Sequence, residues 1–352
     1  MTGQSNGEEL GTSVSMSLDG NRMAIGSPYY NDASLGYVGR VQILEYDAIN
    51  GWTQLGGNIL GSEVWSSFGS SVSLSDDGNR VAIGNPLYNG VGGDAGQVKI
   101  FEYDAVNGWT QLGADFDGTA YSQMGQSVSL SSDGNRVAIG AYEIGEFDDL
   151  YFEYTGAGEG YVRIYEYDAV NGWTQLGTDL DGDGHHNTFG HSVSLSSDGN
   201  RVAIGAPGQV SFWPQSSVLT GYTRVFDYDA VNGWTQVGTD ILGNADYVQK
   251  GLSVSLSADG NRMAVGSAFG DQNVIYDYDA VNGWVLNTMN IEPNLTYTSY
   301  KNVSLSADGN TLVAQESNNG PTNGHNVDFY TCLLYTSPSP RDATLSRMPS
   351  SA

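Results

Sequence analysis

The residues best suited to do chemistry fall in three stretches. Residues 141–161 hold Glu143, Glu146, Asp148, Asp149, Glu153 and Glu159, interleaved with Tyr142, Phe147, Tyr151, Phe152 and Tyr154. Residues 208–222 hold Phe212 and Trp213. Between them, residues 179–186 read Asp-Leu-Asp-Gly-Asp-Gly-His-His. Aromatic faces can stack on a sugar ring or a partner side chain, and carboxylates can hold a cation. Tyr142, Phe147, Asp148, Asp149, Tyr151, Tyr154, Phe212 and Trp213 are therefore the candidate ligand-binding set. The competing reading is that long loops turn such aromatics inward for their own order.

Asp179, Asp181 and Asp183, followed by Gly184, match the opening of a calcium loop. The later acidic ligand of such a loop falls on Gly190, so the match is partial, and short Asp/Gly runs also make ordinary turns. Calcium is the one candidate cofactor, and none is required. His185, His186 and His191 are zinc-type side chains, but adjacent residues of an extended chain point to opposite sides. Asp148, Asp149, Glu153 and Asp181 are acids of the kind glycoside hydrolysis uses, but no spacing among them selects a pair. Nor is there a nucleophile–base–orienter pattern.

These stretches interrupt a strong internal repeat. The motif SVSLSxDGNRVAIG, or a close variant, begins at Ser13, Ser71, Ser127, Ser192 and Ser253, with a decayed copy from Asn302. Its turn aspartates are Asp19, Asp77, Asp133, Asp198, Asp259 and Asp308. A second motif, EYDAVNGWTQLG or a variant, carries Trp52, Trp109, Trp173, Trp234 and Trp284. Val72-Ser73-Leu74 alternates at period two, Asp77-Gly78-Asn79 turns, and Arg80 to Gly84 returns. Residues 97–103 and 109–112 supply two more strands around the Asn107-Gly108 turn. Four antiparallel strands per repeat predict one propeller blade each, with Val72, Leu74, Val81 and Ile83 packing blade on blade. The expected architecture is an all-β propeller of four-stranded blades, with repeats starting near 10, 68, 124, 189, 250 and 300 and the propeller spanning residues 1–331.

Blade topology places the chemistry. The first and third turns of a four-stranded blade share one face, while the middle loop and the connection to the next blade share the other. Here the turns are nearly identical between copies and the middle loops vary, so binding residues are expected on the irregular face. Arg22, Arg80, Arg136, Arg201 and Arg262 recur at one position and are expected to pair with local acids.

Composition limits partners. With 40 acidic against 13 basic residues and a net charge of −27, the chain lacks the clustered Lys and Arg that nucleic acid or an anionic membrane requires. No apolar run reaches the length of a membrane span. Residues 332–352, CLLYTSPSPRDATLSRMPSSA, break from the glycine-rich texture and resemble a translated sequencing adapter, a non-native tail. Cys332 is the single cysteine, so disulfides and thiol catalysis are not expected in the repeats. A signal peptide is presumed lost upstream of Met1.

Two short landmarks flank the first hairpin. Phe68-Gly69 precedes Gly84-Asn85-Pro86, and Phe189-Gly190 precedes Gly205-Ala206-Pro207. Leu10-Gly11 with Gly26-Ser27-Pro28, and Met124-Gly125 with Gly140-Ala141-Tyr142, are near matches. From Leu10 to Tyr330 the chain thus resembles the FG-GAP repeats of integrin-α-type propellers. The resemblance implies a seven-bladed parent, of which six blades are traceable, and an extracellular or cell-surface adhesion role. Calcium-binding versions carry several ligands around the Asp-Gly turn. Asp133 alone occupies that stretch in the third copy, so hairpin calcium sites are not expected.

The expected function is a noncatalytic, monomeric, extracellular scaffold that binds a protein or glycan through variable loops, without enzyme activity. The alternative is a propeller-fold carbohydrate-active enzyme, a polysaccharide lyase or glycoside hydrolase. Its mark would be carboxylates in one site with proton affinities pushed apart.

Overall fold

A computed structural model describes residues 7–142, 146–148, 153–155, 159–184, 187–208, 220–244, 248–268, 274–287, 298–318 and 325–331. Every regular element among them is a β-strand. Blade two shows the plan. Ser71–Leu74, Arg80–Asn85, Gln97–Asp104 and Gly108–Gln111 pair antiparallel in chain order. Blades one, three, four and five repeat this order. Blade six has three strands among the described residues: Thr298–Leu305, Thr311–Asn318 and His325–Thr331.

One element was not expected. A two-residue strand after the outer strand (Ile59–Leu60, Phe116–Asp117, Leu180–Asp181 and Ile241–Leu242 in blades one to four) pairs with the start of the third strand. Two residues carry too little pattern to be read from periodicity. This strand ties each connection to its own blade before the chain crosses to the next.

The repeat motif is a blade-joining device. The first serine donates to the next blade's carbonyl: Ser13 to Gly69, Ser71 to Gly125, Ser127 to Gly190 and Ser192 to Gly251, at 2.8–2.9 Å. The third residue, also serine, accepts the next blade's backbone N–H, as Ser15 does from Leu74 at 2.9 Å. The fifth, Ser75 in blade two, donates to Asp77 at 2.6 Å and accepts from the Arg80 amide at 3.0 Å, closing the hairpin turn. These bonds satisfy polar groups that stacking removes from water.

The apolar positions between them form the cores. Val41, Ile43 and Phe68 pack with Val72, Leu74, Val81 and Ile83 between blades one and two, and equivalent clusters follow at each later junction. The recurrent arginines pair with their own blade's acids, such as Arg80 with Glu102 at 2.8 Å, as expected. They also reach the next blade: Arg80 donates to Gly134 O and Asn135 and lies 5.0 Å over the Tyr167 ring. The tryptophans reach backwards, Trp109 Nε1 donating to Leu55 O, Trp173 to Leu112 O and Trp234 to Leu176 O.

Near the axis, the variable residue of each SLSxDGN turn forms a backbone chain. Leu18 N–H donates to Asp76 O, Asp76 to Ser132, Ser132 to Ser197, Ser197 to Ala258 and Ala258 to Ala307, at 2.8–3.0 Å. These residues and the leucines beneath them line a cavity of 420 Å3 on the uniform face.

Candidate functional site

The connection from blade three to blade four is pinned between two variable loops. Gly182 N–H donates to Gly160 O, at the end of the blade-three loop, at 2.9 Å. Gly208 N–H, at the start of the blade-four loop, donates to Asn187 O at 3.0 Å. The three chemistry-rich stretches therefore meet at their bases. Phe147 and Asp148 pair across a small hairpin with Tyr154 and Glu153. Asp149, Tyr151, Phe212 and Trp213 lie outside the described residues, as do His185 and His186.

The three aspartates of the connection differ. Asp179 receives Arg163 at 3.0 Å and Gln175 Nε2 at 2.6 Å. Burial pushes its carboxyl up, but these two donors outweigh burial and hold it below the usual carboxylate range. Asp183 pairs with Arg224 and accepts from the Tyr222 hydroxyl at 3.1 Å. The Arg224 hydrogen bond lowers its proton affinity. Asp181 has neither donor. Burial, then the Asp179 and Glu159 charges, raise its proton affinity. One connecting segment thus carries two carboxylates with lowered proton affinity and, between them, one with raised proton affinity.

Arg224 organises this side. It bridges Asp183 and Asp240, the latter at 2.8 Å, and its guanidinium lies 4.8 Å over the Tyr222 ring. Burial drives the Tyr222 hydroxyl upward, so it remains a donor. A calcium ion on Asp179 and Asp183 would have to displace both guanidinium groups. Among the described residues, no group of three or more His, Cys, Asp or Glu is placed to hold a metal.

Tyr142 and His191 face each other across the same junction, ring centroids 5.9 Å apart. Burial drives the imidazole toward its neutral form, opposed by a hydrogen bond with the Leu252 backbone. His191 Nδ1 is enclosed with no hydrogen-bond partner.

Sequence reasoning passed over Arg163, Arg224 and Tyr222. A signal was present: the third residue of the third strand is the neutral Gln42 in blade one and the cations Lys99, Arg163 and Arg224 in blades two to four. It also passed over Tyr37 and Trp65, an exposed stacked pair 4.2 Å apart on the irregular face.

No family model and no curated protein matches the sequence. Solved structures do match. A candidate 6-phosphogluconolactonase of Bacteroides uniformis ATCC 8492 is similar with a TM-score of 0.54 and 14% identity, over 91% of this chain and 83% of that one. A periplasmic gluconolactonase of Pseudomonas aeruginosa is similar with a TM-score of 0.53 and 16% identity, over 95% of this chain and 90% of that one. These matches correct the expectation of a noncatalytic scaffold without enzyme activity, which rested on the regular repeats, the acidic charge and the lack of a nucleophile–base–orienter pattern: the matched proteins are described as lactonases. No helix among the described residues is long and apolar enough to cross a membrane. The chain is an all-β propeller that shares its fold with these two proteins.

Proposed function

We propose that this chain is a hydrolase of a sugar-derived substrate, a lactone ring in the first instance, acting at the blade-three to blade-four junction. The observation that carries the reading is the split between Asp181, raised in proton affinity, and Asp179 and Asp183, lowered. Such a split assigns acid and base roles within one set of carboxylates. Its position on the loop-rich face of a propeller fold shared with two lactonases favours ester over glycosidic substrates.

In this reading the Arg224 guanidinium is the donor for the substrate carbonyl, where negative charge develops, and the Tyr222 hydroxyl holds Asp183 in place. Water adds to the carbonyl carbon and the ring C–O bond breaks. Asp181 gives its proton to the departing ring oxygen, and Asp183 takes one from the attacking water. The product is the open-chain hydroxy acid, and proton exchange through solvent restores both carboxyls. The acidic surface repels that acid product more than the neutral lactone. A periplasmic or extracellular location fits this reading.

The test is hydrolysis of D-glucono-δ-lactone above its spontaneous rate, followed by proton release, for the wild type and for Arg224→Met. The reading requires turnover by the wild type and its loss in the variant.

A further inference from the structure

In blades one and two the middle loop is tied to the connection that leads on to the next blade. In blade two the Tyr121 amide donates to Gly93 O at 2.8 Å from a left-handed backbone (φ 62°). Its half-buried ring lies against Gly93, where a Cβ would stand 3.1 Å from the ring edge. In blade one Trp65 repeats the arrangement, with φ 63° and an amide bond to Tyr37 O at 2.8 Å. A bulky side chain takes that backbone only where its surroundings hold it, so both rings are fixed in place.

What differs is the residue under the ring. Tyr37 stands where blade two has Gly93, and its ring stacks on Trp65 with centroids 4.2 Å apart and planes inclined by 19°. Gly93 shows that the tie needs no side chain at this place. The stack is an addition to the fold, and it faces water: Tyr37 is 39% and Trp65 58% exposed. Leu35 and Val64 beside it are exposed too, Val64 lying against Gly36. The rim is polar. Asn31, exposed, pairs with Tyr37 in the two-stranded hairpin of Asn31–Asp32 and Gly36–Tyr37. Glu63, two residues before Trp65, accepts from the Asn89 side-chain amide at 2.5 Å. Residues 28–39, 61–70 and 86–96 contain Asp32, Glu63 and Asp94 but no Lys or Arg.

This chemistry selects the occupant. A rigid, exposed aromatic face takes the C–H face of a sugar ring, while amide and carboxylate groups beside it take the hydroxyls. The surrounding acids repel an anionic chain. A stable protein interface takes about 20–30 residues a side, well beyond four apolar side chains. We propose that the Tyr37–Trp65 stack is a binding platform for a neutral polysaccharide. One pyranose ring lies on the free face of Trp65, and Asn31, Glu63 and Asn89 meet its hydroxyls. The platform is separate from the blade-three to blade-four junction and does not depend on the hydrolase reading. It holds the protein on a polymer whatever chemistry the junction performs.

The test is affinity electrophoresis of the whole chain through native gels cast with laminarin, soluble starch or hydroxyethyl cellulose, with polygalacturonate as the anionic control. The wild type is expected to be retarded by at least one neutral polymer and not by polygalacturonate. Trp65→Ala should weaken that retention about tenfold or more. Tyr37→Gly, which installs the residue blade two carries, should do the same while leaving the melting temperature unchanged, and Trp65→Tyr should retain part of the binding. Arg224→Met, at the other junction, should bind as the wild type does. No retardation in any neutral gel overturns the proposal, as does equal retardation of wild type and Tyr37→Gly. Binding lost in Arg224→Met but kept in Trp65→Ala places the sugar at the junction and also overturns it. Sedimentation velocity tests the competing occupant: self-association abolished by Trp65→Ala would make the patch a contact between copies and overturn the choice of ligand.

Discussion

The carbonyl oxygen of Gly125 sits against the Cα of Gly84, so close that a Cβ at Gly84 would overlap it. The same relationship joins Gly69 to Gly26, Gly190 to Gly140 and Gly251 to Gly205. The two glycine landmarks of the repeat are therefore the two sides of one backbone contact between consecutive blades. Gly84→Ala is predicted to cost about 1–3 kcal/mol, because the obstacle is backbone and cannot rotate away. Gly57→Ala, with open space around it, should stay within about 0.5 kcal/mol of wild type. Thermal melts of the two variants side by side check this.

The arginine contacts divide into strong and weak parts. The Arg80–Glu102 pair is exposed on the Glu side, and Glu102→Gln should cost less than about 1 kcal/mol. Arg80→Ala also removes the hydrogen bonds to Gly134 and Asn135 and the packing on Tyr167, and should cost about 1.5–3 kcal/mol. Equal losses in denaturant melts would place the energy in the ion pair instead.

Acid should loosen the turns first. In Asp77, Asp133, Asp198 and Asp259 burial pushes the carboxyl up, but serine and asparagine donors outweigh it and hold the carboxyl below its ordinary value. A depressed folded-state value means the stabilisation is full above the unfolded value and is lost as pH falls through the folded one. The melting temperature should therefore be flat near neutrality and fall steeply below about pH 4. Asp133→Asn should flatten that fall while lowering the neutral melting temperature. Circular dichroism melts across pH 3–7 would show both.

The same sign rule, reversed, applies to Asp181. Its raised proton affinity keeps the acid form to higher pH than an ordinary carboxyl, and activity should decline as pH rises through that value. Lactone turnover corrected for spontaneous hydrolysis should thus be greater at pH 5 than at pH 7.

Much of the fold was legible because the sequence repeats itself. Six copies fixed the blades, the hairpin turns and the pairing of Arg22, Arg80, Arg136, Arg201 and Arg262 with acids of their own blades. The backward reach of Trp109 to Leu55 was not legible, since the partner is a backbone carbonyl that any residue supplies. Asp179 and Asp183 read as free ligands because Arg163 and Arg224 are distant in sequence, Arg163 meeting Asp179 within blade three and Arg224 meeting Asp183 only across the junction with blade four. The chemical character of the site followed the same limit. A resemblance carried by Phe-Gly and Gly-Ala-Pro landmarks reports how blades join, and that packing is indifferent to what the loops do.

The most direct measurement is the rate of D-glucono-δ-lactone hydrolysis at pH 5 by wild type and Asp181→Asn, with folding of both verified by their melts. Loss of the general acid predicts a fall in kcat of about 10²–10⁴-fold with little change in KM. Equal rates in the two proteins, or no turnover above the spontaneous rate by the wild type, would contradict the assignment of Asp181 and of a hydrolase site at this junction.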